Sequence, residues 1–128
     1  MNAPGFLLAS LYVAVGGALG AWLRYVLGRL AGATAFPFAT LAVNLLGSFA
    51  MGLLAGWLAR QSDGGESWRL LLGVGLLGGF TTFSAFSLEI VTLAQRGALA
   101  NAALYAAVSL AGGVLGLMAG LALMRGAA

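Results

Sequence analysis

Four apolar stretches follow one another along this chain, separated by two short turns and a single hydrophilic segment, RQSDGGESWR, from Arg60 to Arg69. A membrane helix needs roughly 20 predominantly apolar residues, and each stretch supplies them. The expected spans are 6–30, 38–59, 68–95 and 98–124, with Gly32–Pro37 and Arg96–Gly97 as the turns. Composition agrees. Of 128 residues, 62% are hydrophobic and only 7% charged, where a soluble domain carries about a quarter charged residues. The mean hydropathy is +1.03. The expected fold class is an all-α membrane protein, one four-helix domain over residues 1–128, multi-pass in a cell (inner or plasma) membrane. The start, MNAPGFLLAS, lacks the positive charge and cleavage pattern of a signal peptide, so the first stretch is expected to remain in the mature protein.

Several function classes are excluded by what is missing. Lysine, histidine and cysteine are all absent, which removes the usual ligands and nucleophiles of zinc, haem, iron–sulfur and thiol chemistry. The acids are Asp63, Glu66 and Glu89, too few and too scattered for a two-carboxylate centre. The chain is not expected to be an enzyme. Its six arginines do not cluster as nucleic-acid binding requires.

Glycine is abundant and recurs at four-residue spacing: Gly16 with Gly20, Gly52 with Gly56, and Gly112, Gly116 and Gly120. Small residues at that spacing let helix backbones approach closely in lipid. Contacts on this scale exceed what four helices use internally, which predicts a homo-oligomer. With four spans, Arg60, Arg69 and Arg125 fall on the side of the termini and Arg24, Arg29 and Arg96 on the other. The positive-inside rule has nothing to choose between. The balance predicts insertion in both orientations and an antiparallel dual-topology homodimer; the alternative is one orientation fixed by details the count misses, such as burial of Arg24.

The remaining polar residues form stripes. Thr40, Asn44 and Ser48 share one face of the second span. An asparagine in a membrane helix either makes an interhelical hydrogen bond or lines a polar pathway, and the accompanying hydroxyls favour the pathway. Tyr105 and Ser109 make a second stripe on the fourth span, continued at Gly113 by a gap. In the third span, GGFTTFSAFS from Gly78 to Ser87 combines two glycines, hydroxyls and three phenylalanines. It predicts a helix broken in mid-membrane, which is tolerated only where buried in protein or lining a wet cavity, with carbonyls freed to hold a cation. Phe83 and Phe86 project from one face beyond the break. Glu89 either pairs with Arg24 or serves the pathway.

GGALGAWLRY in the first span, TLAVNLLGS in the second and GGFTTFSAFSLE in the third resemble the motifs of the Fluc (CrcB) family of fluoride channels, and the resemblance covers all four spans in order. It implies small four-helix subunits paired as antiparallel homodimers with two fluoride pores, giving passive export and fluoride resistance. By resemblance Phe83 and Phe86 are the pore phenylalanines, whose positive ring edges face the ion, and Asn44 donates to fluoride. Tyr105 and Ser109 form the polar track, with Thr40 and Ser84 beside it. Gly78 and Thr81 match positions whose main-chain carbonyls, from both subunits, hold a structural sodium ion (Na+). Arg24 and Glu89 have structural or unassigned roles. Two positions depart from the pattern: Ala85 where threonine is usual, and Gly113 where serine often continues the track. The competing class is a small dual-topology multidrug or cation transporter, which needs a carboxylate in its first span. Residues 1–61 contain no acid. A non-transporting scaffold subunit would explain the glycines but not the polar stripes.

Overall fold

The computed structural model describes residues 4–61 and 64–126. Its elements are α1 (Phe6–Ala31), α2 (Phe38–Leu58), a short α3 (Gly65–Trp68) running into a π-helical segment (Arg69–Leu77), α4 (Gly78–Phe80), α5 (Phe83–Gln95) and α6 (Leu99–Gly126). Four helical stretches are long and apolar enough to cross a membrane: Phe6–Ala31, Phe38–Leu58, Gly65–Gln95 and Leu99–Gly126. They match the expected spans to within three residues at either end. The chain is a four-span, multi-pass membrane protein.

Close glycine contacts set the packing. Gly16 and Gly20 of α1 lie against Leu71 and Leu76 of the π segment, so these two elements run parallel. On the other side Gly112 meets Leu45, Gly52 meets Leu117 and Gly56 meets Met124, so α2 and α6 also run parallel. The start of α1, the end of α2, the start of α3 and the end of α6 therefore share one side, as alternating spans require. A methyl group at Gly16 or Gly52 would collide with the carbonyl of Leu71 or Leu117. These faces pack against one another within the chain. The expectation that glycine contacts overflow into a second copy loses its warrant, because four long helices absorb them.

The apolar surface faces outward. Among the described residues the buried hydrophobic ones are Val43, Phe86, Leu93, Ala102 and Tyr105, whereas Phe6, Leu30 and Leu110 are 84%, 78% and 68% exposed. This is the distribution lipid permits, since lipid supplies no hydrophobic drive to hide large side chains and helices associate through close packing instead.

The third stretch is irregular in two ways. Over Arg69–Leu77 the hydrogen bonds widen to π spacing, with the Gly78 N–H reaching back to the Gly73 carbonyl. Thr81 (φ −82°, ψ 156°) and Thr82 (φ −148°, ψ 123°) are then extended, and α5 restarts at Phe83. Sequence reasoning puts the unwound turn at Phe80, Thr81 and Thr82, the weak helix formers after the glycine pair, and of these Phe80 is still helical with Gly78 and Gly79. The residues that leave the helix are the two threonines, whose branched side chains favour extended backbone.

Candidate functional site

The interruption at Thr81–Thr82 is held by side chains from two other helices. The Asn44 amide on α2 donates from Nδ2 to the Thr82 carbonyl at 3.0 Å and accepts the Thr82 N–H on Oδ1 at 2.8 Å. Arg24 on α1 donates from Nε to the Gly79 carbonyl at 3.2 Å. Thr82 caps α5 by accepting the Ala85 N–H on its hydroxyl at 3.1 Å, as an N-cap threonine does. These bonds redirect donors. The Thr82 N–H that would close on Gly78 O goes to Asn44, and the Ala85 N–H that would close on Thr81 O goes to Thr82. Neither carbonyl receives its helical donor, and these are the two that the resemblance assigns to sodium.

Beside the interruption lies an open groove of about 290 Å³, lined by Asn44, Ser48, Thr81, Thr82 and Ser109 together with Phe83 and Phe86. The stripes of α2 and α6 thus meet α5 in one place. Asn44 keeps one N–H beyond its bonds to Thr82, since its amide carries two donors. The Ser109 hydroxyl is buried and, among the described residues, is the single buried side-chain polar atom without a partner. Across from Gly113 stands Ser48, whose hydroxyl would lie 3.4 Å from a Cβ at 113. The hydroxyl missing from α6 at that level is thus supplied by α2.

The two phenylalanines differ in setting. Phe83 is 76% exposed, whereas Phe86 is 8% exposed, set edge-to-face against Tyr105 with centroids 5.1 Å apart. Their own rings are 5.7 Å apart and tilted at 46°. Ser84 is exposed, with its hydroxyl 3.4 Å from that of Thr82, and is not part of the groove lining.

A second polar cluster lies beyond Phe86. Thr40 donates to Glu89 Oε1 and Tyr105 donates to Glu89 Oε2, both at 2.7 Å. Glu89 and Thr40 open onto a second cavity of about 420 Å³, which Thr34, Thr92 and Arg96 also line. An Arg24–Glu89 pair, one of the two expectations for these residues, does not form. The ion pair among the described residues is Arg69–Glu66 at 2.7 Å. Both Glu89 oxygens accept hydroxyls from α2 and α6, while Arg24 is engaged on α4. Sequence reasoning also read Thr40 and Tyr105 as free pathway hydroxyls and did not see that Glu89 gathers them. Spacing carries the hint, since Phe86 and Glu89 are three apart on α5. Thr82, which both caps α5 and anchors Asn44, was likewise passed over in favour of its neighbour Thr81.

The family model for CrcB-like protein, Camphor Resistance (CrcB), matches residues 11–121. The relatives include a protein of Novosphingobium aromaticivorans that is 61% identical over 94% of this chain and 98% of its own length. One from Erythrobacter litoralis is 54% identical over 93% of each chain, and one from Sphingopyxis alaskensis is 51% identical over 88% of this chain and 92% of its own. All three carry the name fluoride-specific ion channel FluC; they are ion channels, not enzymes. With identity this high along nearly the whole length, with the second and third quoted motifs lining one groove and the first bonded to the third through Arg24, the chain belongs to the CrcB (Fluc) family.

Proposed function

We propose that this chain is the subunit of a fluoride-selective channel, which lets fluoride leave the cytoplasm passively across the inner membrane and so confers fluoride resistance. The observation that carries the reading is the buried, unpartnered hydroxyl of Ser109, a residue that lines the same groove as Asn44, whose amide has an N–H to spare. A small, strongly hydrated anion needs substitutes for the water it sheds, and these donors fit that need. The Phe83 and Phe86 ring edges add a weaker attraction that lets the ion move on. The relatives' names supply the identity of the anion.

The functional unit is an antiparallel homodimer with two pores. The support is the groove itself, since Asn44, Ser48, Thr82 and Ser109 line an open face of an otherwise apolar subunit, and polar groups in a bilayer require protein or water against them. A second copy meets that requirement and covers the exposed Phe83 ring. The interruption at Thr81–Thr82 then lies at mid-membrane depth, against the partner. The Gly78 and Thr81 carbonyls, relieved of their helical donors, suit a hard cation, which takes oxygen ligands. Two copies bring four such oxygens together, and sodium held there would tie the subunits by charge. Thr40, Glu89 and Tyr105 continue the path toward the cavity that Arg96 lines.

Efflux from liposomes reconstituted with the purified protein tests the reading directly. Fluoride release on shunting the membrane potential, with chloride retained, is the expected outcome. Retention of both ions would refute a channel, and equal release would refute selectivity.

A further inference from the structure

We propose that the side of the molecule carrying the start of α1 and the end of α6 binds an anionic phospholipid, in an apolar groove separate from the polar one. The groove, about 470 Å³, is lined by Leu53, Leu54, Trp57, Trp68, Leu72 and Met124 and shares no residue with the lining of the polar groove. Its walls are the end of α2, the start of the third helical stretch and the end of α6, brought together where Gly56 packs on Met124. Trp57 and Trp68 meet edge-to-face, with centroids 6.2 Å apart and planes at 78°. Trp68 is 48% exposed. Paired indoles of this kind sit at the depth of lipid headgroups.

Charge identifies the occupant. Arg60 lies three residues beyond Trp57 as α2 ends, Arg125 follows Met124, and Arg69 stands one turn before Leu72. Arg69 is held by Glu66 in an exposed pair, which leaves Arg60 and Arg125, both exposed, as the other arginines among the described residues on this side of the molecule. From Leu53 to Arg60 a helix rises about 10 Å, enough for the upper part of an acyl chain below a headgroup. Apolar walls accept the chain, and guanidinium groups bind the phosphate oxygens through paired N–H donors. Basic pockets between membrane helices take anionic headgroups on this principle. A neutral lipid would fill the walls equally well but would leave Arg60 and Arg125 without a counter-charge among the described residues. The proposal stands independently of the fluoride reading.

Tryptophan quenching tests it. With Trp22→Phe, the purified protein emits from Trp57 and Trp68 alone. Vesicles would contain phosphatidylglycerol or phosphatidylcholine with identical brominated chains at the same mole fraction. The brominated phosphatidylglycerol should be enriched at the groove about fivefold over phosphatidylcholine, the scale of one arginine near an anionic headgroup. Arg60→Gln with Arg125→Gln should abolish the preference without altering helix content or unquenched emission, and Arg60→Lys with Arg125→Lys should keep most of it. Equal quenching by the two lipids, or a preference that survives the double glutamine variant, overturns the proposal. Loss of the preference in free inorganic phosphate, but not in chloride of the same ionic strength, would make this a soluble-phosphate site and overturn the lipid.

Discussion

Replacing Ser109 by alanine separates conduction from folding more cleanly than any other change in this chain. The Ser109 hydroxyl is buried without a partner among the described residues, and leaving a polar group in that state costs about 1–3 kcal/mol. Alanine removes the hydroxyl and its penalty together, so Ser109→Ala should not lower the apparent melting temperature of the purified protein. Conduction should move the other way. A hydrogen bond to a charged group is worth about 1.5–3 kcal/mol, and each 1.4 kcal/mol lost at the barrier slows transport about tenfold. The spare N–H of Asn44 and the hydroxyl of Ser48 still line the groove and recover part of the loss. The expected slowing is therefore about tenfold, at the lower end of the range. Fluoride efflux from liposomes gives the rate, and thermal unfolding in detergent gives the stability. A variant that melts lower yet conducts at the parental rate would refute the reasoning, because Ser109 would then be a satisfied packing residue.

Four further outcomes follow from the same geometry. Asn44→Leu strands the Thr82 N–H and carbonyl and should destabilise the protein by about 2–4 kcal/mol as well as stopping efflux; unchanged unfolding would show that the paired bonds do not hold the interruption. Phe83→Ile and Phe86→Ile should assemble normally yet pass fluoride about tenfold more slowly, whereas parental rates in both would return the rings to packing. A C-terminal reporter should appear on both sides of the membrane in one cell population, and a reporter confined to one side would rule out the antiparallel pair. Thr81→Ser should leave a main-chain sodium site intact while larger residues at Gly78 damage it, and a high-resolution structure with water between those carbonyls would remove the cation.

Hydrophobicity made the four spans legible, because membrane helices declare themselves by length and the turns by glycine and proline. The stripes were legible too: Thr40, Asn44, Ser48, Tyr105 and Ser109 were picked out by spacing alone. What spacing does not convey is which donor meets which acceptor. For Glu89 the sequence left two readings open, a pair with Arg24 on the same side of the membrane or a role in the pathway. Carboxylate oxygens in a low-dielectric interior take whichever donors the helices bring within reach, and those are the hydroxyls of Thr40 and Tyr105. The π segment was illegible for a different reason. RLLLGVGLL is as apolar as an α-helical span, and only the close approach of Gly16 and Gly75 marks it as unusual. Which residues of GGFTTFSAFS are extended was not legible from composition, because threonine backbone preference and the Asn44 anchor together fix them at Thr81 and Thr82.

An interrupted helix in lipid must account for every backbone group it exposes, and here that accounting bears on function. Asn44 serves both main-chain groups of Thr82, Arg24 serves the Gly79 carbonyl, and the Thr82 hydroxyl serves the Ala85 N–H. Side-chain donors outside this set, among them the second Asn44 N–H and the hydroxyls of Ser48 and Ser109, belong to residues that line the groove. The acceptors deprived of their helical donors are the Gly78 and Thr81 carbonyls. Donors without acceptors favour an anion, and acceptors without donors favour a cation. On the proposed function, this division lets one short motif hold a sodium ion and pass fluoride without the two sites competing for the same groups. Glu89 respects the division as well, since its negative charge is engaged by two hydroxyls rather than left facing the path of an anion. Removing one of those hydroxyls therefore affects more than packing, because it frees a carboxylate oxygen where the proposed path continues beyond Phe86.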